Sequence, residues 1–218
     1  MRQIALDTET TGLTCHDGHK IIEIGCVEII NRQITSNIYN THINPKRKID
    51  IEAKKITGLT EDFLKDKPVF SQIAHDFYNF LKGADQIIVH NANFDINFIN
   101  NEFKLMNFEI TNLRKIFNIL DTLEYARKIH PGKSNSLNSL CKRYNVYNKH
   151  RMKHTAIIDA NLLAKVYLKM TSTQLKVETN DEHVETDYLI NNIKTYMFRA
   201  KSNEMQKHIK YIKKMQHE

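Results

Sequence analysis

Ile4-Ala5-Leu6-Asp7-Thr8-Glu9-Thr10-Thr11-Gly12 is an apolar run that ends on two carboxylates spaced i, i+2. Ile4 to Asp7 reads as a buried strand, and in a strand that spacing points Asp7 and Glu9 to the same face. Two like charges about 4 Å apart repel by about 4 kcal/mol at an effective dielectric of about 20. A strand end accepts that cost when a cation lies between the carboxylates. An all-oxygen donor set favours Mg²⁺ or Mn²⁺ over zinc.

Working outward, Lys20 to Ile30 is a second strand rich in β-branched residues, and Gln33 to Ile43 is its hairpin partner, ended by Asn44-Pro45. A short helix carrying Lys54 and Lys55 stops at Thr57-Gly58. Apolar residues at 73, 74, 77, 80 and 81 form a helical stripe closed by Gly83, and Gln86 to Val89 is another strand. Helices are expected at 94–106, 121–129, 136–144 and 155–170. Strands first, then strands alternating with helices, describe an α/β domain with a mixed sheet.

From Thr171 to Asp187 the chain is polar and aperiodic, which reads as a linker. Beyond it Leu189, Ile193 and Tyr196-Met197, then Met205, Ile209 and Ile212, recur at helical spacing. The tail is therefore expected to be partly helical. It either packs back onto the domain or folds on a partner.

The second segment with chemical content is His90-Asn91-Ala92-Asn93-Phe94-Asp95, directly after a strand. Asp95 falls in the first turn of the next helix, where the helix dipole favours a carboxylate, and strand ends are where α/β sites are built. Taken alone, Asp95 reads as a helix N-terminal charge rather than a ligand. The third segment is His154-Thr155-Ala156-Ile157-Ile158-Asp159. Thr155 is placed at the N-cap, His154 in the loop before it and Asp159 one turn inside. Together these residues suit phosphodiester hydrolysis. Two cations about 3.5–4 Å apart need bridging carboxylates, which Asp7, Glu9, Asp95 and Asp159 supply. His154, with an ordinary pKa of about 6.5, suits the general base.

Composition agrees. The 218 residues suffice for one core and an appendage, and the formal net charge is +7. With carboxylates gathered in a site, the surplus cations lie elsewhere, available to a polyanion. Charge alone leaves a merely basic soluble surface equally open. Cys15, Cys26 and Cys141 are widely separated and form no CxxC pair, which argues against a disulfide framework or zinc ribbon and fits a reducing cytoplasm. No secretory signal pattern and no membrane-length apolar run is visible.

The motifs Asp-x-Glu-Thr-Thr-Gly, His-Asn-x-x-Phe-Asp and His-x-x-x-x-Asp, in this order, resemble those of the DEDDh 3′→5′ exonucleases. The resemblance implies an RNase H-like fold, a mixed β-sheet flanked by helices. It also implies that Asp7, Glu9, Asp95 and Asp159 bind metal, that His154 is the base, and that the cofactors are two divalent cations. Thr10 and Thr11 stand where that family meets the terminal nucleotide, with Asp7, Glu9 and Asp159 beside it. His90 and Phe94 flank the second motif as pocket wall.

A longer match covers about residues 1–174. It runs through His19-Lys20-Ile21-Ile22-Glu23-Ile24-Gly25, Pro131-Gly132-Lys133-Ser134-Asn135-Ser136-Leu137 and Leu163-Ala164-Lys165-Val166-Tyr167-Leu168. It is similar to the epsilon subunits of bacterial DNA polymerase III, which proofread. This implies an exonuclease domain over 1–174, a linker over 175–187 and a segment over 188–218 that binds the polymerase alpha subunit, with Ala200 to Ile212 as its clearest part. DNA with a single-stranded or frayed 3′ end is the implied substrate, and a small theta-like subunit is a further partner the family admits. Two departures stand out. Thr57 occupies a substrate-side position where epsilon subunits carry His before Gly. Gln174-Leu175-Lys176-Val177 keeps the Gln of a sliding-clamp peptide but lacks its downstream aromatic, which leaves the clamp contact open. An RNA 3′-trimming exonuclease and a non-catalytic polymerase scaffold are the alternatives.

Overall fold

The structure is a computed structural model that describes residues 1–148 and 153–177. Its centre is a five-stranded mixed sheet. The strands are β1 (Arg2–Thr10), β2 (Ile21–Ile30), β3 (Gln33–His42), β4 (Gln86–Val89) and β5 (Ile119–Asp121), in spatial order β3-β2-β1-β4-β5. The first three form an antiparallel meander, and β4 and β5 add in parallel beside β1. Asn31 and Arg32 turn β2 into β3 with φ of 49° and 66°. Two positive-φ residues in a two-residue turn match the right-handed twist of the strands. β1 is longer than the apolar run suggests, because Thr8, Glu9 and Thr10 continue the ladder against β2, with a register shift between Glu9 and Thr10.

Seven helices complete the described fold: α1 (Ile51–Thr57), α2 (Glu61–Leu64), α3 (Phe70–Leu81), α4 (Ala92–Leu105), α5 (Thr122–Ile129), α6 (Leu137–Arg143) and α7 (Ala156–Val177). The period-2 alternation of β1 and β2 divides the core. Ile4, Leu6, Ile24 and Cys26 pack with α3 and α4 on one face. Ala5, Val27 and Ile29 pack with α6 and α7 on the other. Asp7, Glu9, Glu23 and Gly25 share parity with the second set, so they face the α7 side. All three cysteines are free thiols.

Three elements differ from the sequence reading. β5 has only three residues, too short for any periodicity to show, and α5 begins where it ends. The four-residue α2, capped by the Thr60 hydroxyl, was not expected. Helix α7 runs to Val177 through the polar stretch that reads as linker from Thr171. There Thr171 Oγ1 donates back to the Tyr167 carbonyl, which lets a polar residue continue the helix. The expected helices and docking segment beyond 187 lie outside the described residues.

Candidate active site

Asp7 and Glu9 stand half-buried on one face of β1, as their spacing dictates, and line a cleft of about 300 Å³. Asp95, His154 and Asp159 line the same cleft, with His90 and Phe94. The cleft lies over the last residues of β1 and just past the C-terminal end of β4. Glu9, His154 and Asp159 each place a donor atom within 4.8 Å of the other two. His154 Nδ1 is 3.2 Å from Asp159 Oδ2.

Each side chain is held by an identifiable device. Asp95 is in the first turn of α4, which follows β4 through Asn91 in the left-handed region (φ 69°). Its carboxylate is 3% exposed, and Oδ1 accepts both the Thr8 N–H (2.9 Å) and the Thr8 hydroxyl (2.7 Å). Burial pushes the Asp95 carboxyl up to about 7, against the downward pull of those two hydrogen bonds; the nearby Asp121 carboxylate adds a smaller push upward. A buried carboxyl poised in this way ionises readily once a cation is beside it.

Asp159 lies in the first turn of α7 and is 2% exposed. His154 precedes that helix, and its N–H donates to the Ile56 carbonyl at the end of α1 (3.0 Å). Thr155 occupies the expected N-cap position, but its hydroxyl finds no hydrogen-bond partner among the described residues. The cap comes from β2 instead, where the buried Glu23 carboxylate accepts the Ala156 N–H. Desolvation raises the Glu23 carboxyl, the Ala156 bond lowers it, and Asp159 raises it further. Glu23 is the cross-strand partner of Glu9. Two residues on, a Cβ at Gly25 would collide with the backbone of Ala156 and Ile157. Strand β2 thus seats the start of α7, which sequence reasoning missed because Glu23 sits within an apolar strand.

A second pocket, about 430 Å³, adjoins the cleft and shares Thr8, Glu9 and Phe94 with it. Its walls include Leu13, Ala53 and Ile56, with Thr10 and Thr57. The Thr57 hydroxyl donates to the Ala53 carbonyl (2.9 Å) and accepts from the Leu59 N–H (3.1 Å). Thr10 Oγ1 donates to the Gly12 carbonyl. Thr11 is fully buried and lines neither space; its hydroxyl meets His19 Nδ1 (3.0 Å) and accepts the Lys20 N–H (3.0 Å). His90 Nδ1 lies 3.0 Å from the Thr122 hydroxyl, which itself donates to the Val89 carbonyl. The structure therefore brings seven of the ten expected site residues into one cleft, sets Thr10 and Thr57 beside it, and turns Thr11 away.

Carboxylates and a histidine at the strand ends of an antiparallel meander continued by parallel strands define an RNase H-like nuclease. The sequence model of the family described as Exonuclease matches residues 4–167. The DNA polymerase III subunit epsilon of Buchnera aphidicola (subsp. Schizaphis graminum) is 43% identical, over 97% of this chain and 96% of that one. The subunit epsilon of Escherichia coli K12 is 45% identical, over 79% of this chain and 72% of that one. Among solved structures, Exonuclease X in complex with 5′ overhanging duplex DNA superposes with a TM-score of 0.61 at 26% identity, covering 79% of this chain and 91% of that one. The chain belongs to the exonuclease family and, within it, to the DNA polymerase III epsilon subunits. That family uses divalent metal ions. No described helix is long and apolar enough to cross a membrane.

Proposed function

We propose that Asp7, Glu9, Asp95 and Asp159 hold two divalent cations, Mg²⁺ or Mn²⁺, and that His154 is the general base. The reaction is phosphodiester hydrolysis that releases nucleoside 5′-monophosphates. The chain is a 3′→5′ exonuclease that removes mispaired nucleotides as the proofreading subunit of DNA polymerase III. The observation that carries the residue assignment is convergence. Side chains from three segments far apart in sequence line one cleft, and among the described residues Glu9, His154 and Asp159 bring donor atoms within 4.8 Å of one another there.

When bound, the cations supply the Lewis acidity that acidifies water and neutralises phosphate charge. The chain's own residues do the rest. Thr8 fixes Asp95 through Oδ1. His154, partly exposed and beside Asp159, takes the proton of the attacking water; its nearness to Asp159 within the cleft supports this role. The pocket beyond Glu9 and Phe94 receives the terminal base against Leu13 and Ile56. Thr57 lines that pocket with its hydroxyl committed to backbone groups of α1 and Leu59. A mispaired end frays more readily, so a site that admits only unpaired nucleotides selects errors by the few kcal/mol needed to unpair the rest.

We assign the exonuclease domain to residues 1–174, the linker to 175–187 and the contact with the alpha subunit to 188–218, in the cytoplasm where replication takes place. Helix α7 carries the domain backbone on to Val177. Gln174 to Val177 is helical backbone there, unlike an extended clamp-binding peptide, and we assign it no clamp contact. A theta-like subunit has no residue assigned to it. The experiment is calorimetric titration of Mn²⁺ into the full chain and into Asp7→Ala, Asp95→Asn and Asp159→Asn. The assignment requires weakened binding in all three, and wild-type affinity in any one removes that residue from the set. Deleting 180–218 is expected to leave nuclease activity and abolish co-purification with alpha; a truncated chain that still co-purifies refutes the docking assignment.

A further inference from the structure

Helix α4 carries Asp95 but supplies no side-chain cap of its own, because Asn91 at its N-cap makes no capping hydrogen bond. The first N–H groups of a helix have no intrahelical partner and need one elsewhere. Here it comes from the end of β5. Asp121 Oδ1 accepts the Asn91 N–H (3.1 Å), and Oδ2 accepts the Ala92 N–H (2.8 Å). The same Oδ1 also accepts the Leu123 N–H (2.9 Å) and the Glu124 N–H (3.3 Å), as the N-cap of α5. One carboxylate thus joins the N-termini of two helices, where a cap normally serves one.

Asp121 lies outside the ligand set, yet it holds α4 three residues before Asp95. Asp95 lines the cleft while its Oδ1 accepts from Thr8 at 2.7 Å and 2.9 Å. Asn91 adopts the left-handed backbone that Asn tolerates better than most side-chain residues, and this turn aims its own N–H and that of Ala92 at Asp121. Next to it, Thr122 bridges the Val89 carbonyl and His90, so the link between β4 and α4 is gripped at consecutive residues from the β5–α5 corner.

We propose that Asp121 is a positioning residue that sets Asp95 for metal binding by fixing the start of α4. This rests on the reading of Asp95 as a ligand. Residues that orient a metal ligand cost about 10–100-fold in metal affinity or activity when removed.

The test uses the full chain with Asp121→Ala and Asp121→Asn, beside Asp95→Asn. Calorimetry measures Mn²⁺ affinity without DNA, hydrogen exchange measures protection of the Asn91 and Ala92 amides, and steady-state kinetics separates kcat from KM. Asp121→Ala is expected to weaken Mn²⁺ binding by about 10–100-fold, expose both amides and lower kcat while KM for an oligonucleotide stays within about twofold. Asp121→Asn keeps the Oδ1 acceptor and loses the Oδ2 bond, so it should fall between wild type and Ala and expose Ala92 more than Asn91. If the Ala variant does not fold, the Asn variant carries the same comparison. Unchanged Mn²⁺ affinity in a folded Asp121 variant, with Asp95→Asn impaired, overturns the inference alone. Unchanged affinity in Asp95→Asn overturns the ligand assignment beneath it.

Discussion

Thr8 and Asp95 are joined twice: the Thr8 backbone N–H and hydroxyl both donate to Asp95 Oδ1, at 2.9 Å and 2.7 Å. Thr8 lies between Asp7 and Glu9, so the strand that carries two carboxylates also orients a third across the cleft. Removing the hydroxyl with Thr8→Val leaves one donor. It should weaken metal binding by about tenfold with little effect on melting temperature. Calorimetry reads this directly, and wild-type affinity would show that the hydroxyl does not orient Asp95.

The Asp95 carboxyl, raised by burial to about 7, makes the metal-free protein sensitive to pH. The folded state holds this proton more tightly than the unfolded chain, whose carboxyl titrates near its ordinary value of about 3.9. Between those values the folded state binds more protons, so stability from this group is full at acid pH and is lost as pH rises through about 7. Metal reverses the preference by displacing the proton. Calorimetry near neutral pH in buffers of different ionisation enthalpy should register proton release on Mn²⁺ binding. Buffer-independent heats would contradict this.

Asp7→Ala and Glu9→Ala should abolish hydrolysis and leave the fold intact. Each also relieves a pair of like charges on one strand face, so the metal-free melting temperature should hold or rise. A fall of several degrees would contradict the repelling-pair argument.

His154→Ala should cost about 10²–10⁴-fold in rate with metal affinity preserved. Because the ring lies in a cluster with Glu9 and Asp159, an equal loss of metal affinity would make it a ligand instead of the base.

Gly25→Ala tests the seat of α7. The added methyl meets the backbone of Ala156 and Ile157. The helix that carries Asp159 and follows His154 must move, at a cost of about 1–3 kcal/mol and with lower kcat. Thermal denaturation with wild-type stability and activity would show that β2 does not fix this helix.

Much of the site is legible along the chain, because strand alternation and helix starts are local. Period 2 puts Asp7 beside Glu9, and the first turns of α4 and α7 give Asp95 and Asp159. The parts that hold those residues are not legible in this way. Glu23 capping α7, Asp121 capping α4 and Thr8 gripping Asp95 join residues from 29 to 133 positions apart, and neither periodicity nor propensity reports such pairs. β5 is too short to show a pattern. The last turns of α7 carry a mostly polar, aperiodic sequence, and such a stretch reads like a linker even where the backbone stays helical.

The most direct test of the account is degradation of matched DNA oligonucleotides with paired and mispaired 3′ ends, and of RNA equivalents. Each is assayed with Mg²⁺, with EDTA and with Asp7→Ala. The account predicts stepwise release of nucleoside 5′-monophosphates, fastest from mispaired DNA ends, abolished by EDTA and by the substitution. Faster removal of RNA, or equal activity in Asp7→Ala, would contradict it.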